Sequence, residues 1–184
     1  MHDNRCTVVL EGLFPGILLH NPAGMSVAKS AKKSIPTAEE EAEASAYWTE
    51  DHTSLAFPAM NMRSGLVQAS AGWKVPSNKK LGLALVVAGD VSIEPYMIPF
   101  GTIKYMIDTR RAVIQRQGIL RSRALLPKWK LTFEVCWESQ HLGIDFPQTI
   151  LPELLERLGG TIGLGDFRPA KRGPFGRIRV VSIK

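Results

Sequence analysis

A chain of 184 residues is long enough for a substantial core, yet holds one domain with insertions rather than several full domains. With 45% hydrophobic and 22% charged residues it is neither a disordered nor a fibrous sequence, and no apolar run reaches membrane-spanning length. A net charge of +6 favours a polyanionic partner. Two cysteines, Cys6 and Cys136, offer neither a disulfide framework nor metal-ligand spacing. The start Met1-His2-Asp3-Asn4-Arg5 lacks the layout of a secretory signal, so a cytoplasmic protein is expected.

The first predicted element is a core strand over 7–13, in a run of β-branched and large apolar residues that continues past Pro15-Gly16 to His20-Asn21-Pro22. Residues 22–36 are Ala, Ser, Lys and Gly without a period and read as a loop. Thr37-Ala38-Glu39-Glu40 is a capping box that opens a short helix to about Ala46. Ala59, Met62, Leu66, Ala69 and Trp73 recur at steps of three and four, which predicts a helix over 60–72. Leu81 to Val87 and Val91 to Ile98 read as a hairpin across Ala88-Gly89-Asp90. A strand within 103–115 follows. The strand over 128–138 is the clearest. In it Trp129, Leu131, Phe133, Val135 and Trp137 alternate with Lys130, Thr132, Glu134, Cys136 and Glu138, so the aromatic set shares one sheet face and packs in the core. Leu151, Leu154, Leu155 and Leu158 mark a helix over 150–158, with Pro152 in its first turn and Gly159-Gly160 after its end. A last strand covers 177–183. This βαββαβ order predicts an α+β, ferredoxin-like (RNA-recognition-motif-like) fold with strands one and three central. The chain is then one domain over 1–184, with insertions at 22–58 and 74–100 and a glycine-rich loop before the last strand. Such a sheet is also a platform used by single-stranded RNA binders.

Charge is segregated along the chain. Residues 104–130 and 161–184 hold 14 of the 23 basic residues and 2 of the 17 acids. In the second segment Gly163, Gly165, Gly173 and Gly176 tolerate φ > 0 and let backbone amides approach a ligand, forming an anion-binding concavity. Arg168, Lys171 and Arg172 add cations suited to phosphate oxygens. The physical reading is a loop that grips a sugar-phosphate backbone, against a solvated hairpin tip as the plain alternative. Arg110, Arg111, Arg116, Arg121, Arg123 and Lys128 either extend that phosphate track or form a solvated hairpin of their own.

Several segments together carry a resemblance: Gly12-Leu13-Phe14-Pro15-Gly16-Ile17-Leu18-Leu19-His20-Asn21, then Phe57-Pro58-Ala59, then Leu126-Pro127-Lys128-Trp129. Ile162-Gly163-Leu164-Gly165-Asp166-Phe167-Arg168-Pro169 with Gly173-Pro174-Phe175-Gly176-Arg177 closes the series. In this order they resemble the RAMP superfamily, whose members build CRISPR effector complexes, and most of all the backbone subunit that polymerises along guide RNA. The resemblance extends to small phage and bacterial proteins, so a solitary phage-encoded relative acting in host cytoplasm fits it equally. It implies that the glycine-rich loop, through Gly163, Gly165, Arg168, Lys171, Arg172, Gly173 and Gly176, contacts RNA backbone. It further implies single-stranded RNA or DNA as partner, with a homo-oligomer along the nucleic acid or assembly with CRISPR subunits, and no cofactor.

Some members of that superfamily are metal-independent endoribonucleases that use a histidine. Of His2, His20, His52 and His141, His20 alone follows the first strand. Asp51-His52 and His141-Leu142-Gly143-Ile144-Asp145 show no ligand spacing, so no metal site is expected. Gly163-Leu164-Gly165 precedes a strand instead of opening a helix, which excludes a Walker-type phosphate loop. The expected function is therefore non-catalytic single-stranded nucleic-acid binding with RNA favoured. The alternatives are an endoribonuclease acting through His20, or a protein-binding scaffold or inhibitor that imitates a CRISPR subunit.

Overall fold

The computed structural model describes residues 4–31, 36–114 and 117–184; His2 and Arg116 lie outside them. The chain begins with β1 (Asn4–Gly12), which alternates buried Cys6, Val8 and Leu10 with half-buried neighbours, and continues to β2 (Ile17–Leu18). The expected loop after it is instead a helix, α1 (Pro22–Ala31). Its start was written in Asn21-Pro22: the Asn21 side chain accepts from the Gly24 amide at 3.1 Å, and proline suits the first helical turn. The capping box opens α2 (Ala38–Ser45) as expected, with the Glu40 amide donating to Thr37 Oγ1 and the Thr37 amide to Glu40 Oε2. Strand β3 (Ala56–Pro58) leads into α3 (Ala59–Ala69), which buries Met62, Leu66 and Ala69 at the predicted spacing.

A short pair, β4 (Lys74–Val75) and β5 (Asn78–Gly82), precedes α4 (Leu83–Asp90) and β6 (Val91–Glu94). This corrects the expected hairpin over 81–98. A short apolar run such as Leu83-Ala84-Leu85-Val86-Val87 has no period that separates a buried strand from a buried helix, and packing against α3 decides for helix. Strand β7 (Met97–Pro99) pairs with β3; β8 (Met106–Ile114) and β9 (Gln117–Leu126) form an antiparallel hairpin whose second strand also pairs with β2. Then come β10 (Lys130–Trp137), the short turns α5 (Ser139–Leu142) and α6 (Phe146–Thr149), α7 (Leu151–Arg157) and β11 (Ile178–Ile183).

The main sheet runs β11-β1-β10-β6, with each neighbouring pair antiparallel. Its second strand in chain order is β6, not the expected strand within 103–115, which belongs to the separate hairpin sheet. The 74–100 stretch, expected as an insertion, thus supplies an edge of the main sheet. Helix α3 packs on β6 and α7 on β11. Val8, Leu10, Leu131, Phe133 and Val135 fill the space between sheet and helices, joined by the buried Trp129 and Trp137. The opposite sheet face is uncovered and carries Arg5, Glu11, Glu94, Lys130 and Arg179. No described helix is long and apolar enough to cross a membrane.

Candidate nucleic-acid interface

The loop from Gly163 to Arg177 folds on itself before entering β11. Gly165 and Gly176 adopt φ of +73° and +69°, where a side chain is strained. A Cβ on Gly165 would meet the Leu18 carbonyl and one on Gly176 the Leu164 carbonyl. The loop amides are turned inward. Leu164 donates to Gly176 O, Gly176 to Gly16 O and Asp166 to Leu18 O, each at 2.8 Å. Gly163 donates to Leu158 O and Gly173 to Arg168 O. These glycines therefore shape the loop and stitch it to β2, while Phe175 anchors it in the interior. Arg168, Lys171 and Arg172 lie around a single turn, Pro169–Lys171, which ends with Arg172 at φ +61°.

The hairpin touches this loop, although it lies in a different sheet from β11. Arg123 Nε donates to Asp166 Oδ2 at 2.8 Å, and the Arg110 guanidinium sits 4.7 Å above the Phe175 ring while pairing with Asp108. Arg121 donates to Glu41 Oε1 at 2.7 Å, and the second Glu41 oxygen accepts the Ser122 amide. Three of the arginines nominated from sequence are thus engaged by carboxylates within the fold. Arg111 lies across Gly118, and Arg111 and Lys128 are exposed with no ion pair among the described residues. Burial alone would raise the Asp166 carboxyl, but the Arg123 hydrogen bond, the Phe167 amide and the Arg123 charge outweigh it and hold it below its ordinary value.

A cleft of about 300 Å³ opens between this loop, the end of β2 and the solvent side of α3. His20, Arg168 and Lys171 all line it, so the fold joins residues nominated separately from sequence. Arg168 Nη1 donates to Gly163 O at 3.1 Å and Nη2 to Gln68 Oε1 at 3.3 Å, and among the described residues it meets no carboxylate. His20 is half-buried, with a buried Nδ1 that has no hydrogen-bond partner among the described residues. Burial first, then the Arg123 charge, pushes its pKa below the ordinary value against the pull of Asp166. The imidazole is therefore neutral at pH 7. Tyr47 Oη donates to the His20 carbonyl at 2.9 Å.

Sequence reasoning missed Tyr47, Asn61, Ser64 and Gln68, which complete the cleft. The legible signal was that positions 61, 64 and 68 of a helix with one buried face are all polar and all uncharged. His52 stacks on Trp48 and His141 pairs with Asp90, both away from the cleft lining. Among the described residues, Glu94, Glu134 and Cys136 approach one another on the open sheet face, but Arg5 engages Glu134 at 3.0 Å.

No family model matches the chain, and no curated protein is similar to it in sequence. Among the solved structures similar in fold is a chain of the type III-B Cmr-beta bound to cognate target RNA, determined by cryo-electron microscopy, with a TM-score of 0.57 and 13% identity. The protein shares the fold of that Cmr-beta chain. The likeness covers 98% of this chain and 60% of the Cmr-beta chain, so the protein spans about three fifths of that chain's length.

Proposed function

We propose that the protein binds single-stranded nucleic acid, RNA in preference to DNA, and holds its phosphate backbone along the rim of the cleft. One observation carries this reading. Among the described residues Arg168, Lys171 and Arg172 meet no carboxylate, whereas Arg5, Arg110, Arg121, Arg123 and Arg179 each pair with one. Cations without an internal counter-charge are those best placed to displace counterions from phosphate. The β11-β1-β10-β6 order, with the first and third core strands central, supports a ferredoxin-like fold of the RAMP type. The likeness to a chain from an RNA-bound assembly supports RNA as the ligand. Exposed Arg111 and Lys128 extend the basic surface, and copies of the chain, or CRISPR-type subunits, assemble beside it on one strand. Titration of labelled single-stranded RNA, single-stranded DNA and duplex at several salt concentrations tests the reading. Single-stranded RNA binds tightest, with a log–log salt slope of about −0.7 per phosphate contact. Salt-insensitive or absent binding removes it.

A second reading, metal-independent RNA cleavage, is favoured by one specific fact: His20 opens onto the same cleft as Arg168 and Lys171. A neutral imidazole is the form that accepts a proton from a ribose hydroxyl. Cleavage of RNA in chelator that His20→Ala abolishes would replace binding alone as the function; intact RNA after long incubation excludes it.

A further inference from the structure

The solvent side of α3 differs from an ordinary wetted helix face. Asn61, Ser64 and Gln68, three and four residues apart, present side chains on one face and all line the cleft. A face that meets only water commonly carries Lys and Glu. Here the helix's single charged residue, Arg63, turns aside to donate to the Val91 carbonyl at 2.8 Å.

The free hydrogen-bonding positions of this stripe follow from the bonds already made. Arginine can only donate, so the Arg168 contact engages Gln68 through its Oε1 and leaves the Gln68 NH2 group to the cleft. Tyr47 gives its proton to the His20 carbonyl, so toward the neighbouring Asn61 carboxamide its oxygen can only accept, and an Asn61 NH2 turned to it leaves the Asn61 Oδ1 to the cleft. The cleft therefore offers a donor, an acceptor and the rotatable Ser64 hydroxyl. Behind them Leu19, Phe57 and Leu164 form an apolar wall. At the rim stand Arg168 and Lys171. Carboxamides match the donor–acceptor edges of nucleobases, an apolar wall suits the ring, and the cations suit the phosphate attached to it.

We infer that this cleft takes one unstacked nucleobase of the bound strand and reads its edge through Asn61, Ser64 and Gln68. The inference rests on the nucleic-acid-binding reading and adds sequence preference to it. It is tested with the full chain by fluorescence anisotropy on labelled 12-mers of A, of C, of U and of a G-containing repeat. One of the four binds about tenfold tighter than the weakest. The double variant Asn61→Ala/Gln68→Ala brings the favoured sequence down to the others, while the salt slope, set by the cations, keeps its value. The double variant Arg168→Ala/Lys171→Ala lowers all four alike and flattens the slope. Four equal, salt-dependent affinities in the parent protein overturn base reading and leave phosphate binding standing. Absence of binding to every sequence removes both.

Discussion

The open face of the main sheet and the rim of the cleft both carry arginines, and they use them differently. On the sheet, Arg5 meets Glu134 at 3.0 Å and Arg179 meets Glu11 at 2.7 Å, each pair lying between adjacent strands. Opposite charges on neighbouring strands offset one another, and the face they share shows no aromatic ring among Arg5, Thr7, Val9, Glu11, Lys130, Thr132 and Glu134. Among the described residues it shows none of the aromatic stacking by which sheets bind single-stranded RNA, as expected from a sequence that places Trp129 and Trp137 in the core. At the cleft the Arg168 fork ends on a carbonyl and a carboxamide, and neither Lys171 there nor Arg172 next to it in the chain has an acidic partner among the described residues. Net charge is therefore a poor guide to where a polyanion binds. What matters is where the fold omits the counter-charge.

The harshest test separates building the loop from presenting its charges. Gly176→Ala forces a side chain into the left-handed region and against the Leu164 carbonyl. It should cost about 3 kcal/mol in urea unfolding and abolish binding with it. The triple variant Arg168→Ala/Lys171→Ala/Arg172→Ala should unfold like the parent but flatten the RNA salt slope by about two units. Its mirror on the open face, Arg5→Ala/Arg179→Ala, should leave that slope unchanged. Equal losses in the two variants would break the comparison. Glu41→Ala sharpens it from the other side, because it strands the Arg121 guanidinium and the Ser122 amide. Stability should fall by about 1–3 kcal/mol, while the freed arginine leaves RNA affinity equal or higher.

The smallest effect concerns pH. His20 has a folded-state pKa below its unfolded value of 6.5, so the unfolded chain binds more protons as acid is added. Stability from the neutral His20 is full above pH 6.5 and declines as pH falls from there through the folded pKa. Chemical denaturation between pH 7.5 and pH 5 should show this slope in the parent protein and a shallower one in His20→Gln. Identical profiles would mean that the buried imidazole is not desolvated.

Much of the fold was legible because its signals are local. Strand β10 declared itself by alternation, α2 by the four-residue capping box Thr37–Glu40, and α7 by leucine spacing between proline and glycine. The position of the glycine loop ahead of β11 was equally plain. Helix α1 was missed although Asn21-Pro22 announced it, because the Ala, Ser and Lys residues that follow show no buried period. The choice of β6 over β8 for the main sheet was not legible, since β6 is only the four residues Val91–Glu94 beside the apolar run of α4, whereas β8 is a nine-residue strand that pairs with β9 instead of β10.

By itself, then, the sequence determined the periodic elements, three loop glycines that adopt φ > 0 (Gly163, Gly165 and Gly176, though not Gly173) and the two basic segments, all read within a few residues. Tertiary structure decided which charges stay free. Arg121 finds Glu41 across 80 residues and Arg123 finds Asp166 across 43, while Arg168 reaches Gln68 across 100 and meets an amide instead of an acid. Such pairings depend on how separate elements pack, and a charge falls off within about 10 Å in salt, so a linear reading counts the arginines but cannot tell which of them the fold has already neutralised.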